Sequence, residues 1–251
     1  MKYNFLTSSD NSNSYEMLKR QAPVITDADI LNYALTLEHL EDKFYREGLA
    51  NYSQADFASA GFDATFYGNL KEISSDETTH VSFLTAALTK AGATPVKECT
   101  YAFGVSDPKS FVMLSSILEG VGVSAYVGAA ADIMSAAYLT AAGSISTVES
   151  RHSAYIRASL SESPFPSPFD VPLSLNEVYT LAAPFIVSCP SDNPTLPVKA
   201  FPMLMSSPDN GNITAGSTIT LLTSGSIVKP ADGSSQIYGA FITVTGPVFV
   251  P

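Results

Sequence analysis

Cysteine is scarce in this chain of 251 residues: Cys99 and Cys189 are the only two. That is too few for a disulfide scaffold and lacks the spacing of a zinc site, so neither is expected, and a single bridge between the two is left open. Positive charge is also short. With 13 Lys and Arg against 24 Asp and Glu, the net charge of -11 repels phosphate backbones and anionic lipid surfaces. No nucleic acid and no membrane is therefore expected as a partner. Residues 1–15 have no apolar core and do not make a signal peptide, so the chain is either intracellular or has already lost its signal. Residues 111–142 carry only Glu119 and Asp132 as charges over a span long enough to cross a bilayer. Ser, Gly, Ala and Thr dilute that segment, and it lacks flanking Lys/Arg clusters and an aromatic belt, so it is expected to be core.

What is present suits one good core: 45% of the 251 residues are hydrophobic, enough for a main domain with a smaller unit appended. The Ser- and Asn-rich residues 1–25 are expected to be a flexible leader, with Lys19-Arg20 as a candidate dibasic processing site. Asn51-Tyr52-Ser53 and Asn212-Ile213-Thr214 would accept glycans in a secretory pathway. Together these point to a secreted or cell-surface location with the signal already removed.

Thr26 followed by Asp27 and Asp29 marks a helix start, with acidic residues where the helix dipole favours them. Ile30, Leu31, Ala34, Leu37, Leu40 and Phe44 then recur at three-and-four spacing, which predicts a first helix over about 27–50. After a polar connection at 51–61, a second helix is expected over 63–91, with Gly92 where a C-cap stands. Residues 92–107 show no period and are expected to be a long crossover. Asp107-Pro108 opens the next helical stretch, and the pattern to Leu160 is too long for one helix. If Glu119 and Glu149 are to lie at one level, a turn must fall near 132–135, giving helices over 108–131 and 135–160. Gly143 then lies inside the last helix, a local weakness of roughly 1 kcal/mol relative to Ala. Four prolines between 163 and 172 end the bundle. Ser174-Leu175-Asn176-Glu177 matches a capping box, so a short helix is expected up to Pro184 within a linker over 161–190. Residues 191–251 turn to Thr, Ser, Val, Ile, Gly and Pro, with strands expected at 217–223 and 236–245.

The chemistry lies in the helices. Residues three apart share a helix face, so Glu77 with His80, and Glu149 with His152, can each serve one site together. A lone pair of this kind is usually a solvated surface feature. Here, however, two of the three histidines follow a Glu by three residues. The first and third helices each supply a glutamate, Glu38 and Glu119, which completes the donor set of dinuclear carboxylate bundles. Glu119 interrupts an apolar run, where a carboxylate is costly unless a metal, a partner charge or protonation relieves it. Tyr45 follows Glu38, and Tyr126 follows Glu119, by seven residues, about two turns, so each Tyr shares a face with its Glu. These tyrosines are candidates for orienting ligands or for redox partnership, against a simpler role as packed aromatics with a satisfied hydroxyl. Glu41 is placed beside the site or on the surface, and His39 points away.

The layout of Glu, then Tyr, then a Glu-x-x-His helix, repeated in both halves, resembles the ferritin-like superfamily. The run 37–45 together with Glu149-Ser150-Arg151-His152 resembles its fungal stress-response and plant desiccation-related branch. The resemblance covers about 26–160 and implies a mainly α fold, a ferritin-like four-helix bundle with a long crossover, to which a small C-terminal β appendage is added. It also implies two metal ions, iron or manganese, held by Glu38, Glu77, His80, Glu119, Glu149 and His152, with peroxide or dioxygen as the small-molecule partner. Carboxylates with two imidazoles suit iron or manganese better than structural zinc. The activity expected is peroxide-consuming or oxidase-like. The alternative is a secreted or surface structural stress protein whose metal site is structural or vestigial. Iron storage in a cage is disfavoured, because the appendage is hard to fit on a packed shell. Assembly as a homo-oligomer is left open.

Overall fold

In the computed structural model, which describes residues 25–207, 214, 217–223 and 237–250, helix α1 (Asp27–Asn51) starts at a reciprocal cap. The Thr26 hydroxyl accepts from the Asp29 amide at 3.3 Å, and the Asp29 carboxylate accepts from the Thr26 amide at 2.9 Å. Two amides that a helix start leaves unpaired are thereby satisfied. Residues 51–61, expected as a plain connection, instead contain α2 (Gln54–Ser59), capped by Ser53 and Asp56. The reason is Phe57, which this turn of helix delivers fully buried into the core beside Phe111. Helix α3 (Ala64–Lys90) begins after the Asp63 cap and ends before Gly92, whose φ of +76° only glycine adopts freely.

The crossover then carries the chain to α4 (Pro108–Ala129), with Asp107 as N-cap and Pro108 at its first position. A 3-10 turn, Ala130–Asp132, and the Ser135 cap lead into α5 (Ala136–Ser159). The Asp27 carboxylate accepts from the Met134 and Ser135 amides at 2.7 and 3.1 Å, which ties this turn to the start of α1. Thus α1 lies along α3, α4 lies along α5, and the two pairs close on one core that includes Ile30, Leu40, Phe44, Leu70, Phe111 and Ile156. By length and composition α4 could cross a membrane. In the bundle its Phe111, Val112, Leu118, Val123 and Ala125 are buried, and the apolar stretch 111–142 is broken by the turn.

Two glycines allow close approach. A side chain at Gly48 would place its Cβ 2.0 Å from the Phe111 ring, and one at Gly128 would lie 1.8 Å from the Leu173 carbonyl oxygen. The second contact brings the chain back along α4, where the Leu173 amide donates to Ser124 O at 3.2 Å. Helix α6 (Leu175–Ala182), with the Ser174–Glu177 capping box, packs on α4 and buries Leu175, Val178 and Ala182. Pro184 stands in a 3-10 turn, Ala183–Phe185. Strand β1 (Thr100–Tyr101) in the crossover pairs antiparallel with β2 (Ile186–Ser188), and a Cys99–Cys189 disulfide closes the same junction.

Two antiparallel hairpins follow, β3 (Leu204–Ser207) with β4 (Thr220–Thr223), and β5 (Gly239–Phe241) with β6 (Val248–Val250). The architecture is therefore mainly helical with small strands at the C-terminal end. Residues 1–24, including Lys19-Arg20, lie outside the described residues, as do Asn212, Ile213 and the first residue of the expected strand at 236–245.

Candidate metal centre

All six metal-ligand candidates come together in the middle of the bundle. Glu38 is on α1, Glu77 and His80 on α3, Glu119 on α4, and Glu149 and His152 on α5. The four glutamates are at most 1% exposed. Their donor atoms form two overlapping groups, each with all atoms within 4.8 Å of one another: Glu38, Glu77, His80 and Glu149 in one, and Glu77, Glu119, Glu149 and His152 in the other. Glu77 and Glu149 stand in both groups. The glutamates of the two Glu-x-x-His motifs are thus the shared pair, and Glu38 and Glu119 are the terminal ones.

The spacing of these donors suits a cation as well as direct pairing. His80 Nδ1 lies 3.2 Å from Glu38 Oε2, 3.3 Å from Glu77 Oε2 and 3.2 Å from Glu149 Oε1. His152 Nδ1 lies 3.1 Å from Glu77 Oε1 and 3.4 Å from Glu119 Oε2. Adjacent ligands on a cation with bonds of about 2.1 Å stand about 3 Å apart in octahedral geometry. Yet among the described residues Glu77 Oε1, Glu119 Oε2, both Glu149 oxygens and His152 Nδ1 have no hydrogen-bond partner. Buried polar atoms left unpaired in this way are costly, and a shared cation relieves them. Two divalent ions would balance the four carboxylates and leave the imidazoles neutral.

The tyrosines cross between the halves. Tyr45 on α1 donates to Glu119 Oε1 on α4, and Tyr126 on α4 donates to Glu38 Oε1 on α1. Each terminal glutamate therefore has one oxygen held by a hydroxyl and its other oxygen facing the donor cluster. Burial, followed by the charges of Glu119 and Glu38 respectively, pushes both hydroxyls well above the usual tyrosine range, so each keeps its proton and remains a donor.

In the absence of metal the imidazoles carry part of the balancing charge. Burial pulls both down, but the carboxylates of Glu149, Glu38 and Glu77 hold His80 up at about 12, and those of Glu119 and Glu77 hold His152 up at about 11. Burial first, then repulsion from Glu77, raises Glu149 well above the carboxylate range.

The two halves differ at one point. His152 Nε2 faces Asp76 Oδ2 at 3.1 Å, which leaves Nδ1 for the centre and fixes the ring. Asp76 precedes Glu77, and the matching position before Glu149 is Val148, which offers no acceptor. The sequence reading did not single out Asp76, because its partner is on another helix. Glu41 was left undecided. It is buried, and a Cβ at Gly122 would meet Glu41 Oε1 and Glu149 Oε2, each at 3.1 Å. Burial, then repulsion from Glu149 and Glu77, raises its pKa well above the carboxylate range. His39 turns to the crossover, with Nε2 3.2 Å from Val96 O.

Comparison with known proteins agrees with this geometry. A family model described as a ferritin-like domain matches residues 26–162, more than half of the chain. Protein rds1 of Schizosaccharomyces pombe (strain 972 / ATCC 24843) is 29% identical over 193 residues, which is 76% of this chain and 47% of that protein. The chain spans about half the length of the curated relative it matches.

Proposed function

The chain belongs to the ferritin-like domain family, and from that premise we propose that it holds two iron or manganese ions and uses them to consume peroxide or to carry out oxidase chemistry with dioxygen. The observation that carries this reading is the pair of donor groups sharing Glu77 and Glu149, in which buried oxygens have no hydrogen-bond partner among the described residues. When bound, such a pair supplies two electrons at one place, the number that reduces a peroxide to water. The protein's own part is to hold and to exclude. Glu77 and Glu149 would be shared between the two ions, with His80 and Glu38 holding one and His152 and Glu119 the other. Tyr45 and Tyr126 fix the terminal carboxylates at one oxygen each. The buried surroundings keep water away from the carboxylates, which strengthens every electrostatic contact inside.

Purified protein loaded with manganese or iron, and assayed for metal content, peroxide loss and dioxygen uptake, tests the reading. Two ions per chain and turnover with one of the metals are expected. No turnover with either metal removes the enzymatic claim, and no bound metal removes the centre.

The second reading, a secreted or surface stress protein with a structural metal site, is favoured by one observation. A disulfide joins Cys99 to Cys189, and such bonds persist in oxidising compartments. Asn51 of the first sequon is exposed, as glycan attachment requires. Mass spectrometry of the native protein for the intact bridge and a glycan at Asn51 tests the location, and turnover separates the two readings.

A further inference from the structure

A pocket of about 240 Å³ lies between α1, α4 and α6, and its walls are apolar, with Leu40, Leu118, Val121 and Phe185 among them. Glu41 is, among the described residues, the one charged residue that lines it. Among the described residues Glu41 forms no hydrogen bond and no ion pair, although it is only 5% exposed. Its carboxyl group lies at the Gly122 end. There, the absence of a side chain brings Glu41 Oε1 and Glu149 Oε2 against the same patch of backbone. The pocket therefore ends beside a bridging ligand of the metal centre. Its outer wall includes Ile117 and Leu181, which are 59% and 47% exposed.

We propose that this pocket binds a small apolar molecule carrying one hydroxyl group, of the phenol class, with the hydroxyl donating to Glu41. Size, wall chemistry and the single polar group each narrow the choice. An enclosed space of about 150 Å³ is enough for benzene, so this pocket takes a single ring with a short substituent. A carboxyl group accepts a hydrogen bond whether or not it is protonated. A plain hydrocarbon leaves that group unpaired. An ammonium or an anion would have to shed its hydration among apolar side chains. That the bound molecule is the organic substrate of the centre rests on the dinuclear reading above. Binding itself does not, and is measured on metal-free protein, so either can fail without the other.

The probes are 4-fluorophenol and fluorobenzene, titrated into the full chain and followed by fluorine NMR. One saturable site for 4-fluorophenol is expected, and Ile117→Trp or Leu181→Trp, placed at exposed wall positions, should weaken it by about tenfold or more as the indole fills the pocket. The affinity ratio of 4-fluorophenol to fluorobenzene should fall by about tenfold in Glu41→Leu and stay within about threefold of wild type in Glu41→Gln, which keeps an acceptor. Circular dichroism identifies the folded variants. No saturable binding, binding that both folded tryptophan variants leave intact, or a ratio that Glu41→Leu does not move would each overturn the proposal.

Discussion

Glu149 stands in both donor groups and Glu38 in one, so the same change at the two positions should have different consequences. Glutamine keeps the volume of glutamate and removes its charge. At a free metal concentration of about 100 times Kd, each occupied site stabilises the fold by about 2.7 kcal/mol. Two sites therefore add about 5.4 kcal/mol, a rise of roughly 10–20 °C in Tm for a chain of this size. Glu38→Gln disables one position and should retain about half of that gain, with one ion per chain. Glu149→Gln takes a charged donor from both positions and should lose nearly all of it. Elemental analysis after dialysis against a fixed free manganese concentration gives the ion count, and thermal melts with and without metal give the gain. Without metal each change relieves repulsion among crowded carboxylates but also removes a charged partner of His80, so both variants should melt within a few degrees of wild type and the gain with metal is read against each variant's own metal-free melt. If Glu149→Gln keeps as many ions as Glu38→Gln, the shared-ligand geometry is wrong.

Asp76→Ala should weaken only the ion beside His152, by about 10–100-fold, and split a metal titration into two steps, because Val148 gives His80 no such support to lose. Metal loading at pH 7 should release at least two protons per chain, since His80 and His152 are held protonated up to about 12 and 11 without metal. The sign follows: metal affinity rises with pH across the neutral range, and calorimetry in buffers of different ionisation enthalpy counts the protons. Loss of the Cys99–Cys189 bridge, which spans 90 residues of sequence, should reduce unfolding free energy by about 4–5 kcal/mol on the loop-entropy estimate, measured by urea titration of Cys189→Ser.

Much of the bundle was legible because its signals are local. The cap at Thr26, the Asp107-Pro108 start, the Gly92 stop and the three-and-four apolar spacing act within one or two turns, so the residues that decide them are neighbours in sequence. Helix α2 was missed for the same reason in reverse. Its cap is local, but its purpose is Phe57 beside Phe111, a contact across the fold. That Glu77 with His80, and Glu149 with His152, face the same way was legible as well, because a Glu and a His three apart on a helix share a face.

The sequence by itself determined the four long helices of the bundle, about where they start and stop, and which of their faces carry carboxylates and imidazoles. Only the tertiary structure decided how those faces meet. It makes Glu77 and Glu149 the shared glutamates, sends each tyrosine to the glutamate of the opposite half, pairs Asp76 with His152, and turns Glu41 toward Gly122. The physical reason is reach. Helical spacing sets where a side chain sits on its own helix within a few ångströms, whereas a hydrogen bond or a shared ion needs atoms from two helices placed to within tenths of an ångström. That placement comes from how the whole core packs.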